Sequence, residues 1–262
     1  MRLIVIGPGR AGGALGIASE NAGHAVVGVL TRRDESRWPK LSWDAPLPDC
    51  DIAFIAVRDE AIGEVAARIA PHVGAVGAVA HLSGFEPVMA LRDLQERGTA
   101  TGGFHPLQSL PDAESGARAL PGSFVGIGGD ELAIDMLTHL AATLDMEPFR
   151  LDDAARPAYH AAAAAAANFV VTALAVSADL FESAGIDPRV SRPLVERAIA
   201  NVYERGPRAS LTGPIARGDI ETVIGHLTAA RDVSEHVGRQ FKLMAEATAI
   251  RAGREEDLHR WR

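Results

Sequence analysis

Cysteine is almost missing from these 262 residues: Cys50 stands alone, which excludes an internal disulfide and a cysteine-built metal site. Positive charge is also short. Lys and Arg number 26 against 34 Asp and Glu, so the formal net charge is −8 and no basic stripe offsets it. That balance argues against a nucleic-acid partner. Long apolar runs are lacking too, since the longest, Ala161 to Ala167, is alanine alone, too short and too weakly apolar to span a bilayer. The chain enters a strand directly, so no secretory leader and no membrane segment are expected. Four histidines (His81, His105, His160 and His226) lie at scattered spacings without an HExxH-like pair, and no metal is expected. What remains is a cytoplasmic protein of ordinary hydrophobic content, 47%, with length enough for one or two cores.

The most informative string present is the first. An apolar strand, Leu3 to Ile6, runs into Gly7-Pro8-Gly9-Arg10-Ala11-Gly12 and then into a helix start. On a helix N-terminus that holds a pyrophosphate, each glycine has its own task. Gly7 allows a tight turn, Gly9 lets backbone approach phosphate, and Gly12 lets helix pack on strand, with Arg10 and Ala11 completing the turn. A plain strand–helix connection is the alternative. An acidic side chain about twenty residues further on would receive the ribose of NAD. Here the second strand ends Leu30-Thr31-Arg32-Arg33, without an acid. A hydroxyl and two guanidinium groups suit a 2′-phosphate, which favours NADP. The competing reading is a solvated turn partly neutralised by Asp34 and Glu35.

Up to about residue 150, short β-type runs alternate with helical stretches. Strands are expected at Leu3–Ile6, Ala25–Leu30, Ile52–Val57, Ala75–Ala80, Ala100–Phe104, Ser123–Ile127 and Glu147–Arg150. Helices are expected at Ala11–Ala22, Ala61–Ala70, Val88–Arg97 and Glu131–Leu144. This alternation predicts a parallel, doubly wound sheet over residues 1–151. After Asp152-Asp153 only helical patterns follow: one long helix over Ala154–Ala184, then Val190–Arg205, Ile220–Ala230 and Val233–Ala252. Residues 152–262 therefore read as an all-α C-terminal domain, with its alanine run suited either to close helix packing in a dimer core or to a flat ligand.

Ligands of open α/β sheets bind beyond the carboxyl ends of the strands. Val57-Arg58, His81-Leu82-Ser83-Gly84 and His105-Pro106-Leu107-Gln108 all fall there. Val57, Arg58, His81 and Ser83 are candidate cofactor contacts, and Gln108 a candidate substrate contact. His81 has an equal alternative, holding its strand end through a backbone hydrogen bond. In the helical half, Leu211-Thr212-Gly213-Pro214-Ile215-Ala216-Arg217-Gly218-Asp219 reads as an ordered loop capped by Asp219, with Thr212 and Arg217 as substrate candidates. Arg217 paired only with Asp219 is the alternative. His160 and Asn168, eight residues apart, would share a helix face across a floor of alanines. Together with His105 they are the candidate catalytic groups. A helix-to-helix contact is the other use for Asn168.

Taken together, GPGRAGGALG, the HLSG of residues 81–84, HPLQSL from His105, YHAAAAAAAN from Tyr159 and LTGPIARGD from Leu211 resemble proteins that join a Rossmann-like half to a C-terminal domain of unknown function 2520. The resemblance spans almost the whole chain. Such proteins are similar in build to pyrroline-5-carboxylate reductase, 3-hydroxyacid dehydrogenases and ketopantoate reductase. It implies a Rossmann-like parallel sheet domain followed by an all-α domain, a homodimer through the helices, and an oxidoreductase linked to NADP or to a deazaflavin. The hydroxyacid dehydrogenases carry a Lys-x-x-x-Asn pair. If Asn168 is that asparagine, the lysine position is Ala164, which leaves His160 or His105 to move the proton. The expected activity is NADP(H)-dependent reduction of a small polar carbonyl or imine compound. A non-catalytic NADP-binding sensor and a ketopantoate reductase-like enzyme are the alternatives.

Overall fold

Strand β1 (Arg2–Ile6) shows why the sheet is covered on both faces. Leu3 and Val5 enter one core, Ile4 and Ile6 the other, and all four are buried. A strand apolar at every position belongs in a sheet with helices above and below. In the computed structural model, which describes residues 1–261, the remaining strands are β2 (Ala25–Leu30), β3 (Cys50–Ile55), β4 (Val76–His81), β5 (Ala100–Pro106), β6 (Phe124–Gly129) and β7 (Glu147–Arg150). All seven expected strands are therefore found, in the order β2-β1-β3-β4-β5-β6-β7. Helices α1 (Arg10–Asn21) and α5 (Glu131–Thr143) pack on one face, with α2 (Ile62–Ile69) and α3 (Arg92–Gln95) on the other.

Two expectations are corrected here. The sheet is not wholly parallel, because β5 and β6 run antiparallel. Their connection carries only the short helix α4 (Ala113–Ala119), which lies against α1 instead of running back along the sheet, so β6 starts where β5 stops. Helix α4 itself was not anticipated. Asp112 caps it by accepting from the Ser115 N–H at 2.8 Å. Its approach to α1 depends on glycine, since a Cβ on Gly13 would lie 2.8 Å from Ala113 Cβ, and one on Gly116 2.9 Å from Ala14 Cβ.

The chain divides into two compact units, Met1–Ala164 and Ala165–Arg262, so the break falls later than the change of composition at residues 151 and 152. Helix α6 (Arg156–Ala164) belongs to the first unit. The second unit opens with a π-helical turn at Ala165–Phe169 and continues as α7 (Val170–Ser183), α8 (Arg192–Arg205), α9 (Pro207–Ser210), α10 (Pro214–Arg217), α11 (Ile220–Val233) and α12 (Glu235–Ala252). The expected uninterrupted helix over Ala154–Ala184 thus contains a π turn. Identical alanines carry no phase, so periodicity could not reveal it. The helical run Asp153–Ser183 is also long and apolar enough to cross a membrane by length and composition alone, with a mean hydropathy of 1.8 over a window only 6% buried. No strand occurs among the described residues of the second unit, whose core gathers Val223, Leu227, Ala245 and Ala249.

A Cβ on Gly12 would lie 2.6 Å from the Gly7 carbonyl oxygen and 2.7 Å from Ala56 Cβ. Gly12→Val should accordingly destabilise the protein by roughly 1–3 kcal/mol in denaturant titrations. Gly225→Ala in α11, where nothing lies within 4 Å of the added carbon, should instead stabilise by roughly 0.5–1 kcal/mol.

Candidate functional site

Strand order reverses between β1 and β3, which opens a crevice beyond their carboxyl ends. The glycine turn sits in it. Gly7 has φ +88°, a conformation side chains resist, and its N–H donates to the Leu30 carbonyl at 2.9 Å. Over Gly9 nothing comes nearer to an added Cβ than the Gly7 carbonyl at 4.0 Å, so a ligand can approach the backbone there. Gly12 is the close helix–strand contact already described. Helix α1 starts at Gly9 with no side-chain cap and no acid in its first turn, leaving its N–H groups for an anion. Arg10 is exposed and Ala11 half-buried at this helix start.

The crevice is a cleft of about 460 Å³ lined by the glycine turn, Thr31, Arg32, Arg33, Val57 and Arg58. Among the described residues Arg32 and Arg33 enter no ion pair, so Asp34 and Glu35 do not neutralise them. Thr31 Oγ1 accepts from the Arg33 N–H at 3.1 Å, and Lys40 Nζ donates to the Arg33 carbonyl at 2.8 Å, adding a further cation. Trp43 and Arg68 complete the lining, the guanidinium 4.7 Å over the indole. Nothing in the irregular stretch between β2 and β3 marked Trp43 as a cleft residue. These features suit NADP: an open backbone at Gly9, a free helix start, and unpaired cations where the ribose phosphate of a bound dinucleotide would lie.

A second cluster forms farther along the sheet. Arg156 is fully buried, its guanidinium resting where Gly103 and Gly128 have no Cβ. It donates to Asp153 Oδ1 at 2.8 Å and to the Ser83 carbonyl at 3.0 Å, while Asp153 also accepts from the Val88 N–H at 2.9 Å. The loop after β4 is thereby tied to the start of α6. Tyr159 and His160 follow Arg156 at helical spacings of three and four, hence on one face. Tyr159 Oη lies 2.7 Å from His105 Nδ1, and His160 stands edge-on to His105 at 6.0 Å between ring centres. Phe85 packs on the other side of His160 at 6.1 Å. Burial, then the charges of His160 and Arg156, push the His105 imidazole down to about 4, and burial pushes the Tyr159 phenol up to about 12.

Other candidates are placed differently. His81 is fully buried, with Nδ1 accepting from the Ser83 N–H at 3.2 Å, so it holds its strand end and does not line the cleft. Burial first and the Arg156 charge second lower its imidazole to about 4. The Ser83 hydroxyl accepts from the N–H groups of Phe85 and Glu86 at 3.1 and 2.9 Å and so forms the turn after β4. Gln108 is exposed and turned back on its own loop, donating to the Ala119 carbonyl at 3.1 Å. In the second unit, Asn168 lies exposed within the π turn, so the uninterrupted spacing that put it on the His160 face does not hold. Thr212 is exposed, and Arg217 pairs with Asp219 at 2.7 Å. Asp219 spends its carboxylate there and makes no side-chain cap to α11. Among the described residues no group of three or more metal-ligating side chains is present.

Residues 123–248 match the family described as a domain of unknown function (DUF2520), and that domain is present in the chain. YHAAAAAAAN and LTGPIARGD fall within the match, whereas the glycine turn, HLSG and HPLQSL precede it. A search of curated proteins returned no match. Solved structures resemble the whole chain. One is a Bacteroides fragilis protein provisionally named an NADP oxidoreductase, 22% identical over 95% of this chain and 98% of that one, with a TM-score of 0.79. Another is a Plasmodium falciparum pyrroline carboxylate reductase with NADP bound, 12% identical over 96% and 98%, TM-score 0.63. A third is a Myxococcus stipitatus imine reductase in complex with NADP+, 13% identical over 99% and 95%, TM-score 0.68. At these identities the shared feature is the fold: a Rossmann-like sheet followed by helices.

Folding holds His81 and His105 below their ordinary value, so between pH 6.5 and about 4 the unfolded chain binds protons that the folded chain does not. Stability from these groups is complete above pH 6.5 and is lost as the pH falls toward 4. The slope for the buried His81 should approach ~1.4 kcal/mol per pH unit. Denaturant titrations from pH 7 to pH 4.5 measure it, and His81→Gln should flatten it.

Proposed function

We propose that the protein is an NADP(H)-dependent oxidoreductase that reduces a small polar carbonyl or imine compound. The observation that carries this reading is the cleft beyond β1 and β3, where the open backbone at Gly9 meets the unpaired Arg32 and Arg33. The structural neighbours named as NADP-bound reductases of imine-type compounds support it. The glycine turn would hold the pyrophosphate, with Arg10 and Ala11 at the helix start. Thr31, Arg32 and Arg33 would hold the 2′-phosphate, and Val57 with Arg58 would border the middle of the dinucleotide. The bound nucleotide supplies hydride.

The chain's own residues then have two tasks: to orient the substrate and to supply a proton. His160 is the proton donor in this reading, since its imidazole stands beside His105 at 6.0 Å between ring centres. His105 lies beside it and hydrogen-bonds the reducible group. The exposed apolar side chains of α7 and α8, Leu194 at 71% and Tyr203 at 87% among them, support a homodimer through the helical unit. The cytoplasm is the proposed location.

A non-catalytic NADP-binding sensor is the second reading, favoured if Asn168 is the counterpart of the hydroxyacid dehydrogenases' asparagine, since Ala164 then replaces their lysine. Three measurements test the first. Replacing Arg32 and Arg33 together with serine should weaken NADPH roughly 10–100-fold in fluorescence titrations and leave NADH nearly unchanged. His160→Ala should abolish NADPH oxidation in a panel of 2-keto acids, ketopantoate and cyclic imines, with NADPH affinity intact. No oxidation by the wild type across that panel would favour the sensor. Sedimentation should give twice the chain mass of 27.6 kDa.

A further inference from the structure

Tyr159 was singled out only as part of a string, yet its hydroxyl makes the one protein hydrogen bond of the His105 ring among the described residues, 2.7 Å from Nδ1. A phenol O–H is a better donor than a neutral imidazole N–H, and an imidazole nitrogen is a better acceptor than a phenol oxygen. The pair therefore settles with Tyr159 donating and Nδ1 accepting. Nε2 must then carry the ring proton. We propose that Tyr159 is a positioning residue that locks His105 in its Nε2–H tautomer, so that His105 serves the site as a neutral hydrogen-bond donor to a carbonyl oxygen or imine nitrogen.

The surroundings hold this geometry from every side. The Tyr159 ring meets His105 edge-on at 5.4 Å and 90°, and Phe149 braces Tyr159 at 5.7 Å. Gly84 leaves room for the imidazole, since a Cβ there would lie 2.8 Å from both Cε1 and Nε2. The ionisable groups around His105 are Arg156, Tyr159 and His160 on α6 and His81 on β4. None is an acid that would favour an imidazolium, and Arg156 opposes one outright. The low value near 4 for His105 and the high value near 12 for Tyr159 agree with a neutral acceptor facing a protonated donor. A neutral, tautomer-fixed imidazole polarises a carbonyl without surrendering a proton. That leaves proton transfer to a different group, His160.

The inference rests on the proposed reductase reading for its use, but not for its test. The full-length protein labelled with ¹⁵N-histidine gives long-range ¹H–¹⁵N spectra in which His105 is identified by its loss in His105→Gln. At pH 7 the wild type should show an unprotonated Nδ1 and a protonated Nε2. Tyr159→Phe should average the two nitrogen shifts toward each other, while Gly84→Ala should perturb them by displacing the ring. An Nδ1–H tautomer or an imidazolium in the wild type at pH 7 overturns the proposal, as do unchanged His105 shifts in Tyr159→Phe. With a substrate in hand, Tyr159→Phe should lower kcat with KM for NADPH unchanged. Absence of turnover in the wild type would defeat the reductase reading alone, since the spectra decide the tautomer without it.

Discussion

The burial of one guanidinium organises the second half of the site. Arg156 enters the sheet where Gly103 and Gly128 leave space, and its bonds to Asp153 and the Ser83 carbonyl join the loop after β4 to the start of α6. The ion pair is weak evidence for stability in itself, because the buried guanidinium loses its hydration while Asp153 stays exposed, and that desolvation offsets the attraction. Its value here is orientation. With Arg156 fixed at the head of the helix, Tyr159 and His160 are carried by helical spacing onto the side that faces His105. Burial first, with this positive charge adding to it, holds the imidazoles of His81 and His105 below their ordinary value.

Electrostatics thus differ sharply between the two ends of the sheet. The chain is acidic as a whole, yet the crevice beyond β1 gathers Arg32, Arg33, Arg58 and Arg68 around an uncapped helix start. Arg58 and Arg68 pair with Glu60 and Asp44, which leaves Arg32 and Arg33 as the cations of that lining without an ion pair among the described residues. At the other cluster burial lowers the imidazoles of His81 and His105 and raises the Tyr159 phenol, which favours their neutral forms and suits hydrogen-bonding to a polar double bond. The fold it shares with solved structures of low sequence identity sets the cationic cleft and the His105–Tyr159 cluster along one sheet, and the side chains found at each are this chain's own.

The strands were legible because each was short, apolar and bounded by turn residues, and the glycine turn because Gly7 answers a positive φ and Gly12 a close helix–strand contact, while Gly9 leaves the backbone open. Helix α4 was not legible: its capping Asp112 is clear, but seven small or charged residues carry no apolar period. The antiparallel β5–β6 pair followed from that missed helix. His81 and Ser83 read as cleft residues because they follow a strand end. Burial of the imidazole and the bonds of the hydroxyl within its own turn are matters of three-dimensional packing.

Sequence spacing was enough to indicate the Rossmann-like sheet, the glycine turn and the cationic end of β2, since all are local consequences of side-chain size, backbone freedom and charge within a few residues. It could not pair Tyr159 with His105, which are 54 positions apart, nor bring Trp43 to the cleft beyond β1 and β3. Those meetings depend on where a buried arginine anchors a helix and where an irregular loop folds back. Only packing in three dimensions, driven by burial and close approach at glycine, decides such distances.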